Sequence, residues 1–164
     1  MQPISGPPRR ATPADATTVA TLLDAFNREY DVATPGVATL AARLARLLAG
    51  ADLVALLAGE PAAGVAVLTF RPTVWYEGPV AVLDELYVVP ALRGRRIGAA
   101  LLAAVEETTR ARGGELVEIN VDGDDLGARR FYERHGYANT QPGATDQLLY
   151  YFRELGDGAT AVSG

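Results

Sequence analysis

The chain has 164 residues, of which 49% are apolar and 21% charged, and a net charge of −5. That length suits one domain, and the balance of apolar to charged residues lies well outside the disordered range. A negative net charge argues against nucleic acid or an anionic membrane as the partner. With no cysteine and a single histidine, His135, the sequence has neither a disulfide framework nor a usual zinc ligand set, so a cytoplasmic protein without a metal is expected. No stretch approaches the roughly 20 apolar residues of a membrane span, and "MQPISGPPRR" lacks the apolar run of a signal peptide.

Low-complexity character is confined to the ends, so the expectation is a single domain over residues 1–164 with flexible ends at about 1–8 and 156–164. Thr12, Pro13 and Asp15 mark a helix start, followed by a stripe of Val19, Leu22, Leu23, Phe26 and Tyr30. After the loop "EYDVATPG" a second helix runs through "VATLAARLARLL", with Leu40, Leu44, Leu47 and Leu48 facing inward. From Gly50 the period shortens to that of strands, in "DLVALLAG", "GVAVLTFRP" and "VAVLDELYVVP", with turn residues between them, which predicts an antiparallel meander. A helix from about Gly98 to Arg112, a strand "ELVEINV", a helix "LGARRFYERH" stopped by Gly136 and two closing strands, around Tyr137 and in "QLLYYFREL", complete the chain. The fold class is therefore α/β (α+β), with a mixed, mostly antiparallel sheet of about six to seven strands, about four helices and at least one parallel crossover.

The stretch "LRGRRIGAALL" gathers Arg93, Arg95 and Arg96 at the turn into the third long helix. The strand before it ends at Pro90, which cannot donate to a ladder. A helix N-terminus offers free N–H groups to an anion, glycine lets a phosphate approach closely, and the arginines add charge, so a diphosphate fits this turn. A solvated basic turn with a structural glycine is the alternative. The dinucleotide fingerprint does not fit, because the loop follows an antiparallel meander, and a P-loop is excluded because the chain has no lysine.

"LYVVPALRGRRIGAALL" resembles the acetyl-CoA motif of the Gcn5-related N-acetyltransferase (GNAT) family, a strand ending in Val-x-Pro, then Arg/Gln-x-x-Gly-x-Gly/Ala, then a helix. The later "DDLGARRFYERHGY" is similar to the second signature of that family, and the order of elements over roughly residues 9 to 153 also matches. Two positions depart from the pattern: Arg96 stands where the middle glycine is usual, and Asp125 where Asn is usual, a position that also suits a helix N-cap.

The resemblance implies an acetyl-CoA-dependent N-acetyltransferase acting on a primary amine of a small molecule or peptide. A catalytically silent acyl-CoA-binding or regulatory domain with the same fold is the alternative. The acetyl-pantetheine arm is expected along the backbone of Tyr87, Val88 and Val89, with the Val88 N–H aimed at the thioester oxygen. The diphosphate is expected on Arg93, Gly94, Arg95, Arg96, Ile97, Gly98 and Ala99, with Asp125 and Arg129 also beside the cofactor. Tyr132 is the expected acid for the leaving thiolate. Asp125, Arg129 and Tyr132 fall on one helical stripe, while Ala128, Phe131 and His135 form a neighbouring stripe expected to face the core.

Proton removal from the amine points to Glu85 or Asp84, which strand alternation sends to opposite faces unless a bulge exchanges them. The acceptor is expected among Glu29, Tyr30, Asp31, Trp75, Tyr76, Glu77, Glu118, Tyr150 and Tyr151, an acidic and aromatic set suited to a cationic amine. The aromatics of "VWYEG" and "LLYYF" have a competing explanation as a homodimer surface.

Overall fold

The Thr12 N–H and hydroxyl both donate to Asp15 Oδ2, at 2.8 and 3.1 Å, and Pro13 opens a 3-10 turn, Pro13–Asp15, that continues into α1, Ala16–Glu29. This is a computed structural model, and it describes residues 6–156. The flexible ends expected at about 1–8 and 156–164 therefore fall largely outside the described residues. Two compact units make up the described residues, one ending at Ile119 and the other beginning at Asn120.

In the first unit α1 packs with α2, Val37–Leu48, through Val19, Ala20, Leu22, Leu44 and Leu48, all buried. Two residues of the expected stripes do not join them. Tyr30 lies past the end of α1, where Asp31 turns into the left-handed region at φ 55°, and is exposed. Leu47 is exposed as well, on the Leu40 side of the α2 stripe, which is only half-buried.

The sheet has five strands in the order β1-β2-β3-β4-β5. The strands β2 (Leu53–Ala58), β3 (Gly64–Arg71) and β4 (Val80–Val88) form the antiparallel meander. A two-residue strand, β1 (Arg9–Arg10), extends it at one edge, unforeseen because two residues carry no periodicity. At the other edge β5, Leu116–Ile119, runs parallel to β4 and is reached through α3, Ile97–Ala111. Alternation sorts the side chains into layers. Ala55, Leu57, Val65, Val67 and Tyr87 pack with α1 and α2, and the opposite face receives Ile97, Leu101, Leu102 and Val105 of α3. Fully burying a side chain of this size contributes about 1.5–3 kcal/mol. Close approach is required at Gly64, where a Cβ would stand 3.0 Å from Leu101 Cδ1 and 3.1 Å from Ile97 Cγ2.

In the second unit α4, Leu126–Arg134, is capped by Asp125, whose Oδ1 accepts the Ala128 N–H at 2.9 Å. Gly136 ends it at φ 86°. His135, expected on the core stripe, is exposed, and its Nδ1–H donates to the Phe131 carbonyl at 2.7 Å, as a residue at a helix C-terminus does. The two closing strands expected after Gly136 are not formed among the described residues. Only an isolated bridge, Thr140 to Gln147, is present, because β-prone side chains make no strand without a partnered ladder.

Candidate active site

The third and fourth long strands part company halfway. The ladder between β4 and β5 runs from Val80 with Leu116 to Leu83 with Ile119, where β5 ends, while β4 continues to Val88. The Val89 N–H donates to the Ala63 carbonyl at 2.9 Å, on the β3 side, so alternation turns the N–H and C=O of Val88 to the edge that β5 has left. The Val88 N–H on that edge is a donor to which an amide-bearing chain can bond.

Directly after β4 the chain makes a 3-10 turn, Pro90–Leu92, then the loop Arg93 to Arg96, then α3. Gly94 takes φ 76°. Arg96 takes φ 64° and ψ 12°, so it keeps the left-handed conformation that a glycine would adopt freely, at a cost of about 1 kcal/mol. The Ala100 N–H is bonded to the Arg96 carbonyl, so the N–H groups of Arg96, Ile97, Gly98 and Ala99 have no helical partner. The Arg93 N–H is already spent on the Pro90 carbonyl at 3.2 Å.

The Arg93 side chain turns back toward β4. Its Nε donates to the Val88 carbonyl at 2.9 Å, and Nη1 and Nη2 donate to the two carboxylate oxygens of Glu29 at 2.6 and 2.7 Å. Those bonds hold the Glu29 carboxyl below its ordinary range. The guanidinium also lies 5.7 Å from the centre of the Tyr87 ring, which stacks on Phe26 of α1 at 5.2 Å. Burial pushes the Tyr87 phenol up, and the charge of Glu29 adds to it.

The expected pair of carboxylates sits at a bulge. Glu85 is opposite Val67, but the next pair is Leu83 with Leu68, so Asp84 is the extra residue. Its Oδ2 accepts the Thr69 hydroxyl at 2.9 Å, and Thr69 shares a face with Val65 and Val67. The expectation of opposite faces is therefore corrected: the bulge brings Asp84 and Glu85 to the α1–α2 face together. Burial raises the pKa of both, and the charge of Asp84 raises Glu85 further. Thr69 was not foreseen as a partner, although a polar residue on the inward phase of "GVAVLTFR" is the signal that marks it.

The remaining expected site residues are dispersed. The loop carrying Trp75, Tyr76 and Glu77 precedes Val80, at the amino end of β4, and Glu85 stands about 16 Å further along at 3.3 Å per residue. Trp75 is 84% exposed. Glu118 on β5 pairs with Arg71 at 2.7 Å. Tyr30 and Asp31 follow the end of α1. In the second unit Arg129 donates to the Gly123 carbonyl at 2.7 Å, the Tyr132 ring meets those of Phe131 and Tyr137, and Tyr150 and Tyr151 are exposed.

Residues 19–137 match the model of the acetyltransferase (GNAT) family. A solved structure of a provisionally assigned acetyltransferase from Arthrobacter sp. FB24 is 64% identical, covers 90% of this chain and 95% of its own, and superposes with a TM-score of 0.86. The aminoalkylphosphonate N-acetyltransferase of Salmonella typhimurium is 46% identical over 55 residues, which is 34% of this chain and 36% of that protein. An aminoglycoside N(6')-acetyltransferase type 1 of Klebsiella aerogenes is 42% identical over 65 residues, 38% of this chain and 43% of that protein. The chain thus spans less than half the length of these two curated relatives. No helix among the described residues is long and apolar enough to cross a membrane. With its family model matched over residues 19–137, from α1 past the end of α4, the chain belongs to the acetyltransferase (GNAT) family.

Proposed function

We propose that the protein is an N-acetyltransferase acting as a single domain, which moves the acetyl group of acetyl-CoA to a primary amine by direct attack. The observation that carries this reading is the opening between β4 and β5, with the Val88 backbone on its edge and the unpaired N–H groups of the α3 N-terminus following in the chain. The amides from Gly94 to Ala99 suit a diphosphate, with Arg95 and Arg96 supplying charge. Val88 offers its N–H to the pantetheine arm, whereas the N–H and carbonyl expected of Val89 are bonded to Ala63 and Leu92 and those of Tyr87 turn by alternation to β3; Asp125 and Arg129 are the further cofactor contacts in this reading.

The amine nitrogen attacks the thioester carbonyl carbon, the new N–C bond forms and the C–S bond breaks. Glu85, with Asp84 beside it, takes the proton released by the amine, directly or through water, and the Tyr132 phenol protonates the departing thiolate. The Val88 N–H faces the developing oxyanion, a contribution of up to a few kcal/mol in acyl transfer. Of the expected acceptor residues, Tyr30 and Asp31 beyond the end of α1 favour a small cationic amine in this reading, while Glu29 is held by Arg93, Glu118 by Arg71, and Trp75 and Tyr76 lie before the other end of β4. That chemistry is shared by the aminoalkylphosphonate and aminoglycoside named for two relatives. A cytoplasmic location and a homodimer built on the exposed aromatics belong to the same proposal.

The test combines thermal shift with acetyl-CoA, CoA and NAD and thiol release across a panel of amines. A ligand that binds the folded state raises its melting temperature, so stabilisation by both CoA forms with thiol release on amine addition is the expected result. Stabilisation without release from any amine overturns the transferase in favour of a silent binding domain. Unchanged kcat in Tyr132→Phe removes the acid role.

A further inference from the structure

Arg93 stands where the family resemblance would have it meet phosphate, yet its side chain is engaged elsewhere. Three of its donors are used, two on Glu29 and one on the Val88 carbonyl, and the fork that would clasp a phosphate bidentately is the one that clasps the Glu29 carboxylate. Glu29 is the last residue of α1, and Val88 is the last residue of β4. A single guanidinium therefore ties the end of the first helix to the end of the strand whose open edge faces the departed β5. Phe26 stacked on Tyr87 fills the space beneath the pair. The pair is partly exposed, with 43% of the Arg93 and 27% of the Glu29 side chain accessible. Its direct contribution to stability is accordingly small, whereas a planar fork anchored at both oxygens, with Nε on a third acceptor, strongly restrains orientation.

We propose that Glu29 and Arg93 form a lock that positions the Val88 end of β4 for acyl transfer, with the Arg93 side chain acting as a positioning residue and not as a diphosphate ligand. The proposal rests on the acetyl-transfer reading for its kinetic consequence but not for the lock itself. A phosphate role and a lock role make opposite predictions for Glu29. If Arg93 bound phosphate, Glu29 would be a competing anion and its removal would tighten acetyl-CoA. If Arg93 is a lock, removing Glu29 and removing Arg93 do the same damage.

The experiment compares the full-length protein with Glu29→Gln, Arg93→Met, the double variant and Arg93→Lys. Amide hydrogen exchange over residues 84–89 is followed in the free protein, acetyl-CoA affinity by calorimetry, and kcat by thiol release with an amine from the panel. The lock predicts faster exchange at Val89, whose N–H is bonded to the Ala63 carbonyl, and a kcat lowered about tenfold in both single variants, with Kd for acetyl-CoA changed by less than about threefold and no further loss in the double variant. Arg93→Lys, which keeps a point charge for a phosphate but cannot hold both Glu29 oxygens and the Val88 carbonyl, should retain affinity and still lose turnover. Acetyl-CoA binding weakened about tenfold or more in Arg93→Met but unchanged or tighter in Glu29→Gln would overturn the proposal and make Arg93 a phosphate ligand. Unchanged kcat in both single variants would overturn it as well. A wild-type protein that neither binds nor turns over acetyl-CoA sinks the acetyl-transfer reading, while exchange at residues 84–89 still decides the lock: no change in either single variant refutes it.

Discussion

At its carboxyl end β4 meets the Arg93 side chain, which in turn holds Glu29 of α1 from a distant part of the chain. Just before the amino end of β4 the close contact is between main chains. A Cβ on Gly78 would stand 1.8 Å from the Gly113 carbonyl oxygen, so the loop before β4 and the turn after α3 lie in direct main-chain contact, with exposed Val74 and Trp75 beyond them. The two ends thus divide the labour of one strand. One end closes the unit, tolerating no added atom, and the other displays donors and charges around an edge that β5 does not cover.

Changes at the two ends should therefore separate turnover from stability. The largest effect is expected at Val88→Pro, which deletes the N–H on the open edge without removing a bond to β3. A fall in kcat of about 10²–10³ at a near-normal melting temperature is the expected outcome, and wild-type kcat would remove Val88 from the oxyanion role. Gly78→Ala should do the reverse, lowering stability in urea by about 2–4 kcal/mol because backbone must move to admit the methyl group, while the folded fraction keeps its kcat.

A subtler contrast lies within the carboxylate pair at the bulge. The pKa of Glu85 is raised by burial and by Asp84, so it becomes a base only as the pH rises past its elevated value. Removing the neighbouring charge in Asp84→Asn should move the acidic limb of the kcat/KM profile to lower pH. A group whose folded pKa is raised adds stability at low pH that is lost as the pH climbs through the folded value. Glu85→Gln should therefore be at least as stable as wild type at neutral pH and relatively less so in acid, as urea titrations at several pH values would show. The smallest effect is expected from Arg96→Gly. It relieves the left-handed strain at φ 64° but adds unfolded-state freedom, for a net gain of at most about 1 kcal/mol, readable as a small rise in melting temperature.

Much of this architecture was legible in the chain. Thr12, Pro13 and Asp15 do start the first helix, the meander falls where the period-two runs lie, and Asp125 caps α4 as its position after "VDGD" implies. These features depend on residues a few places apart, whose turn chemistry and periodicity act wherever the segment finds itself. The stretch around Arg93 to Ala99 also does join a strand, β4, to a helix, α3.

What only the tertiary structure decided involves partners chosen at long range. The bulge arises where β4 pairs with β3, and it alone places Asp84 and Glu85 on one face, against the alternation read from "LDELYV". Arg93 meets Glu29 across 64 positions of sequence. The run "QLLYYFREL" has the side chains of a strand and finds no ladder among the described residues. The division has a physical cause. Helix caps and turns satisfy their backbone groups within one or two turns of chain, so the sequence determines them directly. A strand's register and a guanidinium's choice between carboxylate and phosphate are settled only by which groups folding brings within about 3 Å.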